Sequence, residues 1–133
     1  IIAAHILSMS NDIDAVAQRL EAYPNLSVEL GARFGDLAMQ DSDKVRNFFD
    51  KYQDRILFGT DYGTGEAEDQ KSSEELLAEA KNLEERYQLL FDYLTKQDSM
   101  VLRKQQTKGL ALSKSVLEKI FSKNYLKFLT RSN

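Results

Sequence analysis

Apolar and polar positions alternate along this chain in blocks, and the period of the alternation changes from one block to the next. Ile1 to Leu7 is almost wholly apolar, which predicts a strand covered on both faces. In "SMSND", Ser10 or Asn11 stands where a helix cap belongs, with Asp12 in the first turn, and Ile13, Val16, Ala17 and Leu20 follow at helical spacing. Pro24 stops that helix. Leu26, Val28 and Leu30 then alternate with Ser27, Glu29 and Gly31, the signature of a second strand with one apolar face. "GARFGDLAMQ" reads as a glycine-containing loop. "DSDKVRNFFDKYQD" predicts a helix capped at Ser42 or Asp43, with Val45, Phe48, Phe49 and Tyr52 on one face, and the third strand runs from Arg55 to Thr60.

Strand, helix, strand, helix, strand with short connections is better explained by parallel crossovers than by hairpins, so the class is α/β. Residues 63–72 form a glycine-rich, acidic surface loop in this reading. A long helix over 73–95 carries Leu76, Ala80, Leu83, Tyr87, Leu90 and Leu94 at alternating steps of four and three. The pattern lasts under three heptads, so packing on its own domain explains it better than a coiled coil. "TKQDSMVLRKQQTKGLAL" is irregular, and Ser113 or Ser115 opens a terminal helix over 114–130.

Composition narrows the chemistry. A chain of 133 residues buries one ordinary core, and we expect residues 1–133 to belong to a single domain. The opening "IIAAHIL", with no polar lead-in, reads as though the chain were a piece of something longer. There is no cysteine and one histidine, so a bound metal would depend on His5, Asp and Glu. No apolar run approaches the ~20 residues of a membrane span and no signal-peptide order is present, which leads us to expect a cytoplasmic protein with no membrane partner. The net charge of −3 speaks against nucleic acid. Charge is uneven, however: residues 101–133 hold 8 bases and 1 acid, and Lys119, Lys123 and Lys127 make one stripe of the terminal helix. With no aromatic or glycine-rich companion motif, we read that stripe as a solvated face rather than a phosphate or membrane site.

His5 and Asp61 both fall near the C-terminal end of an apolar strand, where ligands gather in parallel α/β folds. A lone histidine there also fits a core residue bonded to backbone, and a lone aspartate fits a turn cap. Residues two and four apart in a strand share a face, so Glu29, Gly31 and Arg33 point together if the strand persists, as do Leu57, Gly59 and Asp61. Three adjacent strands would then aim His5, Glu29, Arg33 and Asp61 at one volume.

"IIAAHILSMSNDIDAVAQRLEAYPNLSVELGAR", "FFDKYQDRILFGTD" and "GLALSKSVLEKIFSKNYLKFL" resemble the last part of amidohydrolase-related metal-dependent hydrolases, the branch that includes decarboxylases and lactonases. The resemblance implies a partial (β/α)8 TIM barrel: strands six, seven and eight with about four helices. It implies that Asp61 binds a divalent metal, Zn2+ foremost, and moves a proton. It implies that His5 contacts substrate, activates water or ligates a second metal. Glu29 and Arg33 then contact substrate or form a stabilising ion pair. The implied activity is hydrolysis of a small ester, lactone or amide, or non-oxidative decarboxylation of a carboxylic acid. The family's other metal ligands have no counterpart here, so these 133 residues alone are expected to be inactive, and the remainder of the barrel or a second copy is the expected partner. Two other readings stand beside it. One is a truncated, non-catalytic barrel serving as an interaction module; the other is a small nucleotide-binding domain, weakened by the absence of a P-loop or Gly-x-Gly-x-x-Gly.

Overall fold

The computed structural model describes residues 1–63, 71–102 and 104–130. Most of the expected acidic loop over 63–72 lies outside the described residues. Three short strands, β1 (Ile2–Ala3), β2 (Ser27–Glu29) and β3 (Ile56–Leu57), form a parallel sheet in the order β1-β2-β3. Ala3 pairs with Val28, and Glu29 pairs with Leu57. The α/β class and the parallel crossovers are as the sequence predicts.

The crossovers are α1 (Ile13–Ala22), followed by α2 (Phe34–Ala38) and α3 (Ser42–Tyr52). Val28, Leu30 and Ile56 project from the sheet into a core shared with Ile13, Val16 and Leu20 of α1 and Val45 and Phe49 of α3. All of them are at most 1% exposed, which is the strongest reason the sheet and its helices stay together. Both caps lie one or two residues from the expected ones. Asp12, not Ser10 or Asn11, accepts the amides of Asp14 and Ala15, and Asp41, not Ser42 or Asp43, accepts that of Lys44. A carboxylate caps as well as a hydroxyl and adds a favourable charge at the helix N-terminus.

Three further expectations need correction. The first strand stops at Ala3, because residues 4–8 wind into a tight turn with His5, Ile6, Leu7 and Ser8 all at positive φ. The third strand is two residues long rather than six. "GARFGDLAMQ" is not all loop: Phe34, Leu37 and Ala38 of α2 are buried, so a single helical turn closes over the core.

The second half begins with α4 (Ser73–Thr95), whose capping box joins Ser72 and Glu75. The "irregular" stretch instead contains an antiparallel hairpin, β4 (Ser99–Leu102) with β5 (Gln105–Lys108). The terminal helix follows as expected from a Ser113 cap: α5 (Lys114–Glu118), a widened π turn (Lys119–Lys123) and α6 (Asn124–Thr130). In the π turn the Asn124 amide reaches back to the Lys119 carbonyl. The Ile120 carbonyl takes the amide of Phe58 just past β3 (3.0 Å), so the terminal helix covers that end of the sheet's edge.

Candidate functional site

The three parallel strands end close together, and each leaves the sheet through a non-glycine residue at positive φ: His5 after β1, Ala32 after β2 and Asp61 after β3. Such backbone costs of order 1–3 kcal/mol per residue. Its effect is to turn the chain sharply at one end of the sheet, leaving the polar side chains there.

Glu29 is the hub. Its Oε1 accepts the Gly31 amide at 2.6 Å and its Oε2 accepts the His5 amide at 3.4 Å, so one carboxylate ties the end of β1 to the end of β2. The same carboxylate fills the place of a side chain on the neighbouring strand: a Cβ added at Gly59 would lie 1.5 Å from Glu29 Oε1. Glycine at 59 is therefore a consequence of glutamate at 29. A Cβ at Gly31 would likewise press on Glu29 Oε1 (2.7 Å) and on Asp61 Cβ (3.1 Å).

His5 is half-buried, and its Nδ1 lies 2.9 Å from the Gly31 carbonyl. A carbonyl only accepts, so Nδ1 carries the proton. Nε2 is left facing Asp61 Oδ1 at 3.8 Å. In the neutral ring that nitrogen is a lone pair, and two acceptors then face each other across a gap that suits a proton or another cation. Asp61 is about half exposed, which keeps the gap open to solvent.

Of the four residues singled out from sequence, the structure brings His5, Glu29 and Asp61 together. Arg33 goes elsewhere. The left-handed turn at Ala32 breaks the two-residue alternation that would have carried Arg33 onto the face of Glu29, and Arg33 becomes the residue that precedes α2. Its Nη1 sits 3.8 Å from Asp36, which also accepts the Ser10 hydroxyl at 2.6 Å, while its Nε is buried with no hydrogen-bond partner among the described residues.

Tyr125 of α6 belongs to this neighbourhood and was not singled out from the sequence. Its hydroxyl donates to the Phe58 carbonyl (2.8 Å), and burial together with the nearby charge of Glu29 pushes the phenol's pKa up. No local signal marks it, since a tyrosine on an amphipathic helix looks like any other.

Among the described residues, no group of three or more His, Cys, Asp or Glu side chains is placed to hold a metal ion. His5 and Asp61 offer two donors where zinc takes three or four from protein and water, so these residues alone do not fit a complete zinc site. The lysine stripe is spent locally: Lys119 and Lys127 both pair with Asp54 at 2.9 Å, and Lys123 pairs with Glu118 at 2.5 Å. No helix among the described residues is long and apolar enough to cross a membrane. The chain matches no family model, no curated protein and no solved structure.

Proposed function

We propose that this chain carries part of the active site of a metal-dependent hydrolase or non-oxidative decarboxylase, acting on a small ester, lactone, amide or carboxylic acid. One observation carries the reading: His5, Glu29 and Asp61 converge at the C-terminal ends of three parallel strands laid in chain order. That is the end of a parallel sheet where catalytic side chains gather. It also supports the finer proposal that the sheet is three consecutive strands of a TIM barrel.

In this reading Asp61 holds or delivers a proton, and His5, with Nδ1 committed to Gly31, presents Nε2 to the reacting atoms. A divalent metal such as Zn2+ would take its remaining donors from residues other than those described, in further barrel strands or a second copy. Arg33 keeps its proposed substrate role only through its part-exposed guanidinium end beside Asp36, whereas its Nε is buried. In the complete enzyme, Asp61→Asn is expected to abolish turnover of an ester, lactone or aromatic-acid substrate while leaving the circular dichroism spectrum unchanged. Undiminished turnover by that variant would sink the role assigned to Asp61. Calorimetric titration of the 133 residues with Zn2+ should show no tight site, and stoichiometric tight binding would contradict the donor count.

A second reading, a non-catalytic interaction module, is favoured by α4. Of its 23 residues only Tyr93 and Leu94 are buried, and Leu77 and Phe91 are 71% and 48% exposed. Phe91, Tyr87 and Leu83 line an apolar groove of about 690 Å3 with Phe58 and Phe121. Sedimentation velocity separates the readings. Concentration-dependent self-association that Leu77→Lys with Phe91→Lys abolishes supports the module, and a monomer at all concentrations argues against a second copy as its partner.

A further inference from the structure

The Glu29 carboxylate occupies an unusual place: it fills space that belongs to a side chain of the next strand, and both its oxygens are taken by backbone amides. Two of its acceptor sites are thus committed to backbone, and these bonds lead to both ends of His5. One oxygen holds the His5 amide, and the other holds the Gly31 amide, whose residue supplies the carbonyl that the imidazole Nδ1–H donates to. The alternative Nε2–H tautomer would release Gly31 and donate to Asp61 instead.

We propose that Glu29 is a positioning residue: by fixing the backbone of His5 and Gly31 it selects the Nδ1–H tautomer of His5 and holds Nε2 open toward Asp61, and Gly59 is glycine so that the carboxylate can reach that seat. The inference rests on the site described under the proposed function and deepens it, replacing substrate contact with positioning as the role of Glu29. It does not depend on which reaction is catalysed.

His5 is the only histidine in the sequence, so its ring nitrogens give an unshared signal. In the full chain labelled with 15N-histidine, at a pH where the ring is neutral, the wild type is expected to show a protonated Nδ1 and an unprotonated Nε2. Glu29→Gln keeps an oxygen for the Gly31 amide and should retain that tautomer. Glu29→Ala should shift it to Nε2–H. Gly59→Ala leaves the glutamate in the chain but evicts its carboxylate, and should shift the tautomer in the same direction. Adding Glu29→Ala to Gly59→Ala should recover stability, since the clash is gone, without recovering the tautomer.

The proposal is overturned if the wild type shows Nε2–H. It is equally overturned if Glu29→Ala and Gly59→Ala both keep Nδ1–H, or if whichever of the two folds keeps it. A tautomer that follows Glu29 in these 133 residues upholds the positioning role by itself, and absence of turnover in the complete enzyme counts against the proposed reaction alone. Loss of turnover in Glu29→Ala with an unmoved tautomer does the reverse.

Discussion

Asn124 joins two elements through one amide. Its Nδ2 donates to the carbonyls of Gln53 (2.7 Å) and Ile56 (2.8 Å), at the end of α3 and the start of β3, and the residue is 4% exposed. Removing the donor strands carbonyls that no water reaches easily, so Asn124→Ala should cost about 2–3 kcal/mol, read from the urea denaturation midpoint. Asn124→Asp, which sets a carboxylate against two carbonyls, should cost at least as much. If Asp is tolerated better than Ala, packing rather than hydrogen bonding explains the site. At this scale the sequence is partly legible. An apolar run that ends on His5 or Asp61 marks a strand end with chemistry, because alternation and turn residues are local properties. The meeting of Glu29 with Gly59 is not local: it depends on β2 lying beside β3 in one register, with residues 30–58 of the chain between them.

Arg55 shows the same dependence from the structural side. Its guanidinium donates to the carbonyls of Leu20, Tyr23 and Leu26 at 2.6–2.7 Å, holding the whole α1–β2 connection. Burial lowers its pKa, though it stays charged at any ordinary pH. A lysine has neither the fork nor the number of donors, and Arg55→Lys should lower the urea midpoint by the equivalent of about 1–3 kcal/mol.

Elements divide by how they are held. α3, α4 and the terminal helix were predictable because their helical spacing is written in consecutive residues, though of their caps only Ser113 was read correctly. α2 was missed because it is a single turn with no side-chain cap, held by burying Phe34 and Leu37. The β4–β5 hairpin was missed because "SMVL" and "QQTK" show no shared alternation, and the pairing of Met100 with Thr107 exists only between them. In the first turns of α4 the local signals matter most, since packing on the core begins only near Leu89 and Leu90 and no residue before Tyr93 is fully buried. Ser72→Ala, which removes the acceptor for the Glu75 amide, should therefore destabilise α4 by about 1 kcal/mol. Hydrogen exchange should show the loss concentrated in the first turns of α4, with the amides of α1 and α3 unchanged.

At the scale of the molecule, carboxylates tie distant parts of the chain. Asp54, just before β3, is held below its ordinary pKa by hydrogen bonds from Lys119 and Lys127 of the terminal helix. Glu21 on α1 is lowered by Lys51 and Tyr52 on α3, and Glu118 is lowered locally, by Lys123 one turn on in the same terminal helix. A carboxyl whose folded pKa is depressed binds its proton more readily in the unfolded chain. Its contribution is thus present above the unfolded value of about 4 and is lost as pH falls through the lower folded value. Melting temperature should be flat from neutral pH to about 5 and fall below 4, with a shallower fall in Asp54→Asn. The pairs are exposed, so each contributes modestly. An identical acid limb in the variant would remove Asp54 from this account.

By itself the sequence determined the α/β class, the approximate positions of the three strands, the long helices and the placing of His5 and Asp61 beyond the first and third strands. These follow from periodicity, caps and breakers, whose physics is complete within a few neighbouring residues. Only the tertiary structure decided where the strands stop, that Arg33 turns to Asp36 rather than joining Glu29, that each lysine of the stripe finds an acidic partner, and that the Glu29 carboxylate sits in the space of a missing Gly59 side chain. Those outcomes rest on left-handed turns and cross-strand contacts, whose energies are settled by which distant residue is already in place.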